Sequence, residues 1–578
     1  MDIQRNLLTI SLVAISAILY FKWIDYSAIT PDDTQIETQA VTGVPSVGVP
    51  TSIGASSGTL SAQESSVPLA DDIEIPNAID VQESTLIQVT TDLVVATINT
   101  KGGVIERLEL RDHLALIDNP DVGFALLKKD SSETFIAEDG LSNVSKNAPN
   151  HLTQYQYSQT AYDIGSDLSV SVALTWVADN GITFVKTLTF TRDSYVVDID
   201  YQINNVTGQA WIGKMYGQFN RTLPVDSGGG FGRLPSYTGA AIYEPEEKYQ
   251  KIKFDEIKDR EDEELERKRI NSAEKPKNSV ITNSGWVSMM QHYFVGVWLP
   301  PEGEKKFFTS VNKNANPNYR VGFLSDFVQV GANQTGSIGA QVYLGSKETT
   351  RLHKLQDDGG IEGVSLNVDY GFLTFIADPL FTVLSWIHDV VGNWGWSIIL
   401  LTILIKLMFY PLSAASYRSM GKMKKLQPRM ATLKERYKDD RQKFQVEMMA
   451  LYKKEKVNPA GGCLPILVQI PVFIALYWVL LESVEMRHAP FALWWVDLSA
   501  KDPYYVLPVL MGVSMYLMQK LNPAPMDDIQ KKVMMIMPFA LTFLFMTFPQ
   551  GLVLYWVVNN VLTMAQQWFN YRQQENKA

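Results

Sequence analysis

The sequence predicts an α-helical polytopic membrane protein with six transmembrane helices and a large antiparallel β-sandwich held outside the bilayer. Three observations carry this: a split in composition near residue 370, a set of apolar stretches of membrane-spanning length, and an uneven distribution of basic residues. The 578-residue chain has 20% charged residues and a net charge of −11, an average that hides two unlike halves. Between Asp25 and Tyr370, 47 acids stand against 28 bases. Beyond Tyr370 the chain is rich in Leu, Ile, Val, Met, Phe and Trp. The acidic balance argues against nucleic-acid binding, DNA included, by the whole protein.

Leu7–Ile24 is the first apolar stretch, preceded by Arg5 and with Lys22 and Trp23 at its far end. It is about as long as a bilayer crossing requires. A cleaved signal peptide is the alternative, but there is no clear small-x-small cleavage site and the stretch is long for an h-region, so residues 1–24 are expected to be an uncleaved anchor with the N-terminus inside. Five more spans are expected at Trp394–Leu412, Cys463–Leu481, Tyr504–Leu521, Val533–Phe548 and Gly551–Trp568. The connection Tyr417–Asn458 carries 13 Lys and Arg residues. Lys520, Lys531, Lys532, Arg572 and Lys577 fall on the same side, and the acidic half falls on the other. The positive-inside rule therefore places both termini in the cytoplasm.

Residues 25–85 read as a flexible linker, because Thr30–Asn77 is rich in Ser, Thr, Gly, Val and Pro without period. Residues 86–345 alternate as strands do. Leu93–Thr100, the Lys101-Gly102-Gly103 turn and Val104–Leu110 read as strand, turn, strand. Asp179-Asn180-Gly181 is a hairpin signal, followed by Ile182, Phe184, Leu188 and Phe190 on one face. Tyr195, Val197, Ile199 and Tyr201 repeat the pattern. The charged run Lys248–Lys277 reads as a solvated helix or loop. Residues 346–393 form a connector ending in an amphipathic helix, Phe372–Val391, expected to lie in the outer membrane interface.

Residues 394–572 form the membrane core, with a short tail at 573–578. Within it, 417–458 reads as a basic helical hairpin, from Leu426, Met430, Leu433 and Tyr437 on one arm and Phe444, Met448 and Leu451 on the other. Its charge suits ribosomal RNA, anionic lipid or an acidic partner.

Lys406 is the most informative residue of the core. It sits about 12 residues, roughly 18 Å, into the second span. A lysine at that depth costs about 2.5–3.5 kcal/mol on insertion scales, so it faces a wet cavity or a partner; snorkelling to the interface is the plainer alternative. Thr402 shares its face one turn away. Gln469 in the third span, and Asn559 and Asn560 in the sixth, are the other intramembrane polar groups singled out. Each alone is an ordinary interhelical hydrogen bond, whereas together with an uncompensated lysine they suggest a polar groove. Pro465 and Pro471 interrupt the third span and provide a means of bending it.

Enzymatic readings find little support. Cys463 is the only cysteine, and six scattered histidines show no metal-ligand spacing, so no metal or cofactor is expected. The S-x-x-K pairs Ser419/Lys422 and Ser272/Lys275 are too short to identify a nucleophile. A secondary transporter would call for an internal repeat, and none is visible.

Several motifs then fall together. Val391-Gly-Asn-Trp-Gly-Trp-Ser-Ile-Ile, Met408-Phe-Tyr-Pro-Leu, Val457-Asn-Pro-Ala-Gly-Gly-Cys-Leu-Pro, Pro490-Phe-Ala-Leu-Trp, Asp502-Pro-Tyr-Tyr and Phe548-Pro-Gln-Gly-Leu-Val-Leu-Tyr-Trp resemble the YidC-type membrane insertases of the YidC/Oxa/Alb family. Glu247-Lys-Tyr, Gly285-Trp-Val-Ser-Met-Met-Gln-His-Tyr-Phe and Met1-Asp-Ile-Gln-Arg-Asn resemble Gram-negative members more loosely. The resemblance implies an inner-membrane insertase and chaperone, not an enzyme, with its large domain in the periplasm. Five helices would enclose a hydrophilic groove open to cytoplasm and lipid. The groove's positive residue is usually arginine in the family, and Lys406 stands at the matching position. Tyr555, Trp556 and the third span around Gln469 would lie where a substrate helix slides past. The implied partners are nascent membrane proteins, the Sec translocon (SecYEG and SecDF), the ribosome and signal-recognition targeting machinery, and membrane lipids.

Overall fold

The computed structural model describes residues 84–575 except 132, 225–235, 271–275, 313–316, 439, 456–463 and 522–527. The expected N-terminal anchor and nearly all of the linker lie outside the described residues.

Alternating apolar side chains dictate two sheets. One has eleven strands and runs from Ser279–Thr282 through Lys305–Asn312, Asn318–Leu324, Trp211–Thr222 and Thr134–Ser142, then back through the N-terminal strands to Ala161–Asp163. The other has nine and runs from Lys248–Ile252 through Trp286–Met290, Gln334–Ser346 and Val196–Asn205 to Gln156–Tyr157. The described pairings are antiparallel except that of Leu86–Thr90 with Ala161–Asp163. Ser169–Val177 and Thr183–Thr191 pair across the Asp179–Gly181 turn, where Gly181 takes φ +88°. Ile182, Phe184, Leu188 and Phe190 are all buried, as are Tyr195, Val197, Ile199 and Tyr201.

The sheets pack face to face. Phe219 of one lies against Trp298 of the other at 5.9 Å, and Trp211 against Phe184 at 5.6 Å. Between them sits a buried charge. Lys186 Nζ donates to Asp139 Oδ2 at 2.8 Å and to the carbonyls of Gly102 and Gly103, while Tyr201 donates to Asp139 Oδ1 at 2.8 Å. Burial lowers the Lys186 pKa and the Asp139 carboxylate opposes that shift.

The charged run folds largely as helix α1, Phe254–Arg269, which buries Phe254 and Ile257 against the sandwich. Helix α2, Thr349–Asp357, begins the connector, and α3, Thr374–Val391, ends it. The core follows as α4 (Trp394–Met408), α5 (Tyr410–Arg436), α6 (Arg441–Lys454), α7 (Leu464–Glu482), α8 (Val506–Leu521), α9 (Asp528–Phe545) and α10 (Gln550–Glu575).

Two expectations change here. The second span does not run unbroken to Leu412, because α4 stops at Met408 and α5 leaves it at 66°. Pro411 is the cause: it lacks an N–H and its ring clashes with the preceding turn, so it sits in the first turn of a new helix. Conversely, Pro471 lies inside a continuous α7. By length and composition alone, Gly371–Val391 is the one described helix that is long and apolar enough to cross a membrane unaided. Its inner face buries Ala377, Phe381, Leu384 and Ile387, yet Phe372, Phe375, Trp386 and Val390 are exposed and apolar too.

The sandwich and the helices share one hydrophobic core, continuous through Leu352, Val364, Val368 and Tyr370 of the connector. The turn after α7 grips the sandwich. His292 bonds the Leu481 carbonyl at 3.0 Å, Thr349 N–H donates to Glu485 Oε1 at 3.2 Å, and Arg487 donates to the Leu114 carbonyl at 2.6 Å.

Candidate functional site

Helix α4 starts where Asn393 caps it. Asn393 Oδ1 accepts from Trp396 N–H, and its Nδ2 donates to the carbonyls of Pro490 and Phe491. That side chain ties the start of α4 to the loop between α7 and α8. The same loop is closed by Asp502, which accepts from the N–H groups of Tyr504 and Leu507, and by Gln550 N–H on the Ala500 carbonyl. These bonds tie the loop to the starts of α4, α8 and α10. Gly512 of α8 faces Thr542 of α9 with no room for a side chain, so these two helices approach closely.

Three turns along from Asn393 comes Lys406, 5% exposed, on the face of α4 turned to α10. Its Nζ donates to Thr563 Oγ1 at 2.9 Å, and Gln566 Nε2 donates to the Lys406 carbonyl at 3.3 Å. Thr563 in turn donates to the Asn559 carbonyl at 2.6 Å. No carboxylate among the described residues pairs with Lys406. An ammonium with a single neutral side-chain partner retains capacity for further acceptors, since it has three donors.

Asn559, Thr563, Gln566 and Asn570 are spaced 4, 3 and 4 residues apart, so they form a polar stripe on one face of α10. Only Asn559 was singled out from the sequence. Thr563, Gln566 and Asn570 were missed, and their heptad-like spacing in an otherwise apolar segment was the signal available. Thr402 is buried and donates to the Ile398 carbonyl of its own helix at 2.6 Å. Asn560, also buried, turns to α8 and donates to Ser514 at 2.9 Å, an ordinary interhelical bond.

Tyr555 and Trp556 cluster around Phe473 of α7, with ring centroids 6.0 and 4.8 Å away, and Phe545 of α9 completes the group. Trp556 Nε1 is buried without a hydrogen-bond partner. Gln469, four residues before Phe473, is half-buried. Of the sequence-chosen residues, Lys406 and the Asn559 carbonyl meet at Thr563, Tyr555 and Trp556 cluster around Phe473, and Asn560 turns away to α8. The hairpin packs Leu426 and Met430 of α5 against Met448 and Leu451 of α6, with Arg429 bridging Glu455 at 2.7 Å.

Residues 386–577 match the family described as 60Kd inner membrane protein, and residues 86–383 match the YidC periplasmic domain family. "Membrane protein insertase YidC" of Nitrosococcus oceani is 45% identical over 493 residues, covering 85% of this chain and 86% of that one. The protein of the same name from Stutzerimonas stutzeri is 41% identical over 582 residues, covering 100% of this chain and 99% of its own. A solved structure described as an active YidC insertase with the first transmembrane domain resolved is similar at 18% identity and a TM-score of 0.36, covering 84% of this chain and 92% of that one. Matched in both halves, in order, and aligned end to end with relatives of this kind, the chain belongs to the YidC family of membrane protein insertases.

Proposed function

We propose that this protein inserts, folds and helps assemble integral membrane proteins in the bacterial inner membrane, with the sandwich in the periplasm and both termini in the cytoplasm. The work is physical and non-enzymatic. A polar groove between α4, α7 and α10 lowers the cost of carrying a client's polar end part-way through the bilayer. Lys406 attracts acidic groups there, and the client's apolar segment then leaves sideways into lipid, gaining roughly 25 cal/mol per Å² of apolar surface removed from water. The observation that carries this reading is Lys406, buried in the bundle, held by Thr563 and paired with no described carboxylate.

Six spans remain the topology that fits the charge distribution: the N-terminal anchor, α4 continued into the start of α5, then α7, α8, α9 and α10. At 1.5 Å per residue, α4 alone is about 22 Å long and α8 about 24 Å, short of the roughly 30 Å hydrocarbon core, which implies a locally thinned bilayer. Sec, the ribosome and the targeting machinery are the proposed partners, the latter two through the basic hairpin α5–α6.

Site-specific photocrosslinking during synthesis of a short membrane protein tests the path. Probes at Thr402, Gln469 and Tyr555 should capture the client, while Val509, exposed on α8, should not. Stronger capture from Val509 than from all three would overturn the proposed path.

A further inference from the structure

We propose that the ends of α5, α8 and α10 build a binding site for the headgroup of an anionic phospholipid of the inner leaflet. Three basic residues from three elements converge there, each stacked on an aromatic ring. Arg572 of α10 lies over Trp568 at 5.2 Å, Lys520 of α8 over Tyr516 at 4.7 Å, and Lys424 of α5 over Tyr571 at 5.7 Å. All three cations are exposed, and none is paired with a carboxylate among the described residues. Leu521, Trp568, Tyr571 and Arg572 line one open cleft of about 380 Å³ between α8 and α10.

The chemistry of this lining is two-sided. The guanidinium offers a planar fork suited to a phosphate, and Lys520 adds a second charge on the neighbouring helix. Leu521 and Trp568 give the lining an apolar part, and Trp568 is 56% exposed. A free anion would use only the cations. A nucleic acid would use the cations and stacking but has no use for an apolar wall at the mouth of a bilayer-spanning helix. A diacyl lipid with an anionic headgroup uses both. Aromatic rings beside basic residues at helix ends are also where a headgroup region meets hydrocarbon. The lining of the cleft includes none of the residues placed along the client path. Its assignment to the inner leaflet rests on the orientation proposed above, whereas lipid binding does not.

Native mass spectrometry of the full chain in detergent tests it with dioleoyl phosphatidylglycerol against dioleoyl phosphatidylcholine. One phosphatidylglycerol should be retained in preference to phosphatidylcholine. The variant Lys520→Gln/Arg572→Gln should lose about fivefold in retention per charge removed. Lys520→Arg/Arg572→Lys should keep it, as should the exposed hairpin control Lys453→Gln/Lys454→Gln. Equal retention of the two lipids, unchanged binding by the neutral variant, or displacement by millimolar inorganic phosphate would each overturn the proposal. So would a neutral variant that loses ribosome binding while keeping the lipid, which would assign the patch to RNA. Because the binding is read in detergent, a wrong orientation leaves it intact, and the two failures can be told apart.

Discussion

Lys347, at the end of the last sandwich strand, and Glu482, the last residue of α7, face each other at 3.5 Å with each side chain only 1% exposed. This buried pair lies where the sandwich meets the helices. Removing one partner strands a charge in the interior and should cost about 3–5 kcal/mol, whereas replacing both with apolar groups should cost far less. Lys347→Met alone is therefore expected to lower the thermal midpoint of the detergent-solubilised protein, and Lys347→Met/Glu482→Met to recover most of the loss. A double variant as unstable as the single one would contradict the pairing.

A second buried pair sits wholly within the sandwich. Lys186 joins the two sheets through Asp139, and Tyr201 completes the network. A fragment spanning residues 86–345 is expected to be soluble, rich in β-structure by circular dichroism and cooperative in unfolding, because Phe219, Trp298, Trp211 and Phe184 already pack between its own two sheets. In that fragment Lys186→Met should lower stability by about 3–5 kcal/mol, read by denaturant titration. A fragment that stays insoluble without the helices would refute independent folding.

The turn after α7 should also respond to external pH. Burial, reinforced by Glu348, raises the Glu485 carboxyl to about 7 from an ordinary 4.5. Its Oε2 has no hydrogen-bond partner. A carboxyl whose folded pKa is raised binds its proton more tightly in the folded state, so stability is greatest below pH 4.5. Stability then falls as pH rises from there to about 7 and is level above, with a total change of at most about 3 kcal/mol. His292, held down at about 4 by burial and Lys347, acts oppositely below pH 6.5. Burial also raises Glu482 to about 7, so it acts in the same direction, and the thermal midpoint of Glu485→Gln should decline less between pH 5 and 7 than that of the native protein. An unchanged slope in the variant would remove Glu485 from this role.

Much of the fold was legible because burial imposes a period. The strand faces from Ile182 to Tyr201 and the hairpin contacts of Leu426 with Met448 follow directly from residue spacing. The break at Phe409 was less legible, since Met408–Leu412 is apolar throughout and only Pro411 marks the bend. In α3 the exposed apolar residues Phe372, Phe375, Trp386 and Val390 lie opposite the buried face, and the polar breaks Asp378, His388 and Asp389 did not reveal them. At the candidate site, a charged residue in an apolar run stood out, so Lys406 was found. Thr563 was not, because a threonine is unremarkable until the partner helix brings a lysine against it. Long-range pairings such as Lys347 with Glu482 join residues 135 apart, and no local period encodes them.

The basic hairpin should be needed for engagement of the synthesis machinery and dispensable for folding of the bundle. Its apolar contacts are its own: Leu426 and Met430 pack on Met448, Leu451 and Tyr452. A deletion of residues 419–456 closed by a flexible linker is expected to assemble in the membrane but to lose client insertion and ribosome co-sedimentation. Normal insertion by such a stably assembled variant would refute the assignment.

The Thr563 hydroxyl should tune the Lys406 ammonium without supplying the charge. Thr563→Val removes the one described side-chain partner of Lys406. It is expected to reduce insertion modestly, by the loss of a hydrogen bond of about 1.5–3 kcal/mol to a charged group. Thr563→Ser should restore it in the same assay.

Reconstituted insertion of a client with an acidic translocated end, compared between Lys406→Arg and Lys406→Glu, tests the central claim most directly. Positive charge in a low-dielectric groove should be what matters, so the arginine variant should insert the client at close to the native level and the glutamate variant should fail. A matched client with a neutral translocated end should be much less affected. Equal insertion of the acidic client by the glutamate variant would contradict a charged, client-facing role for Lys406.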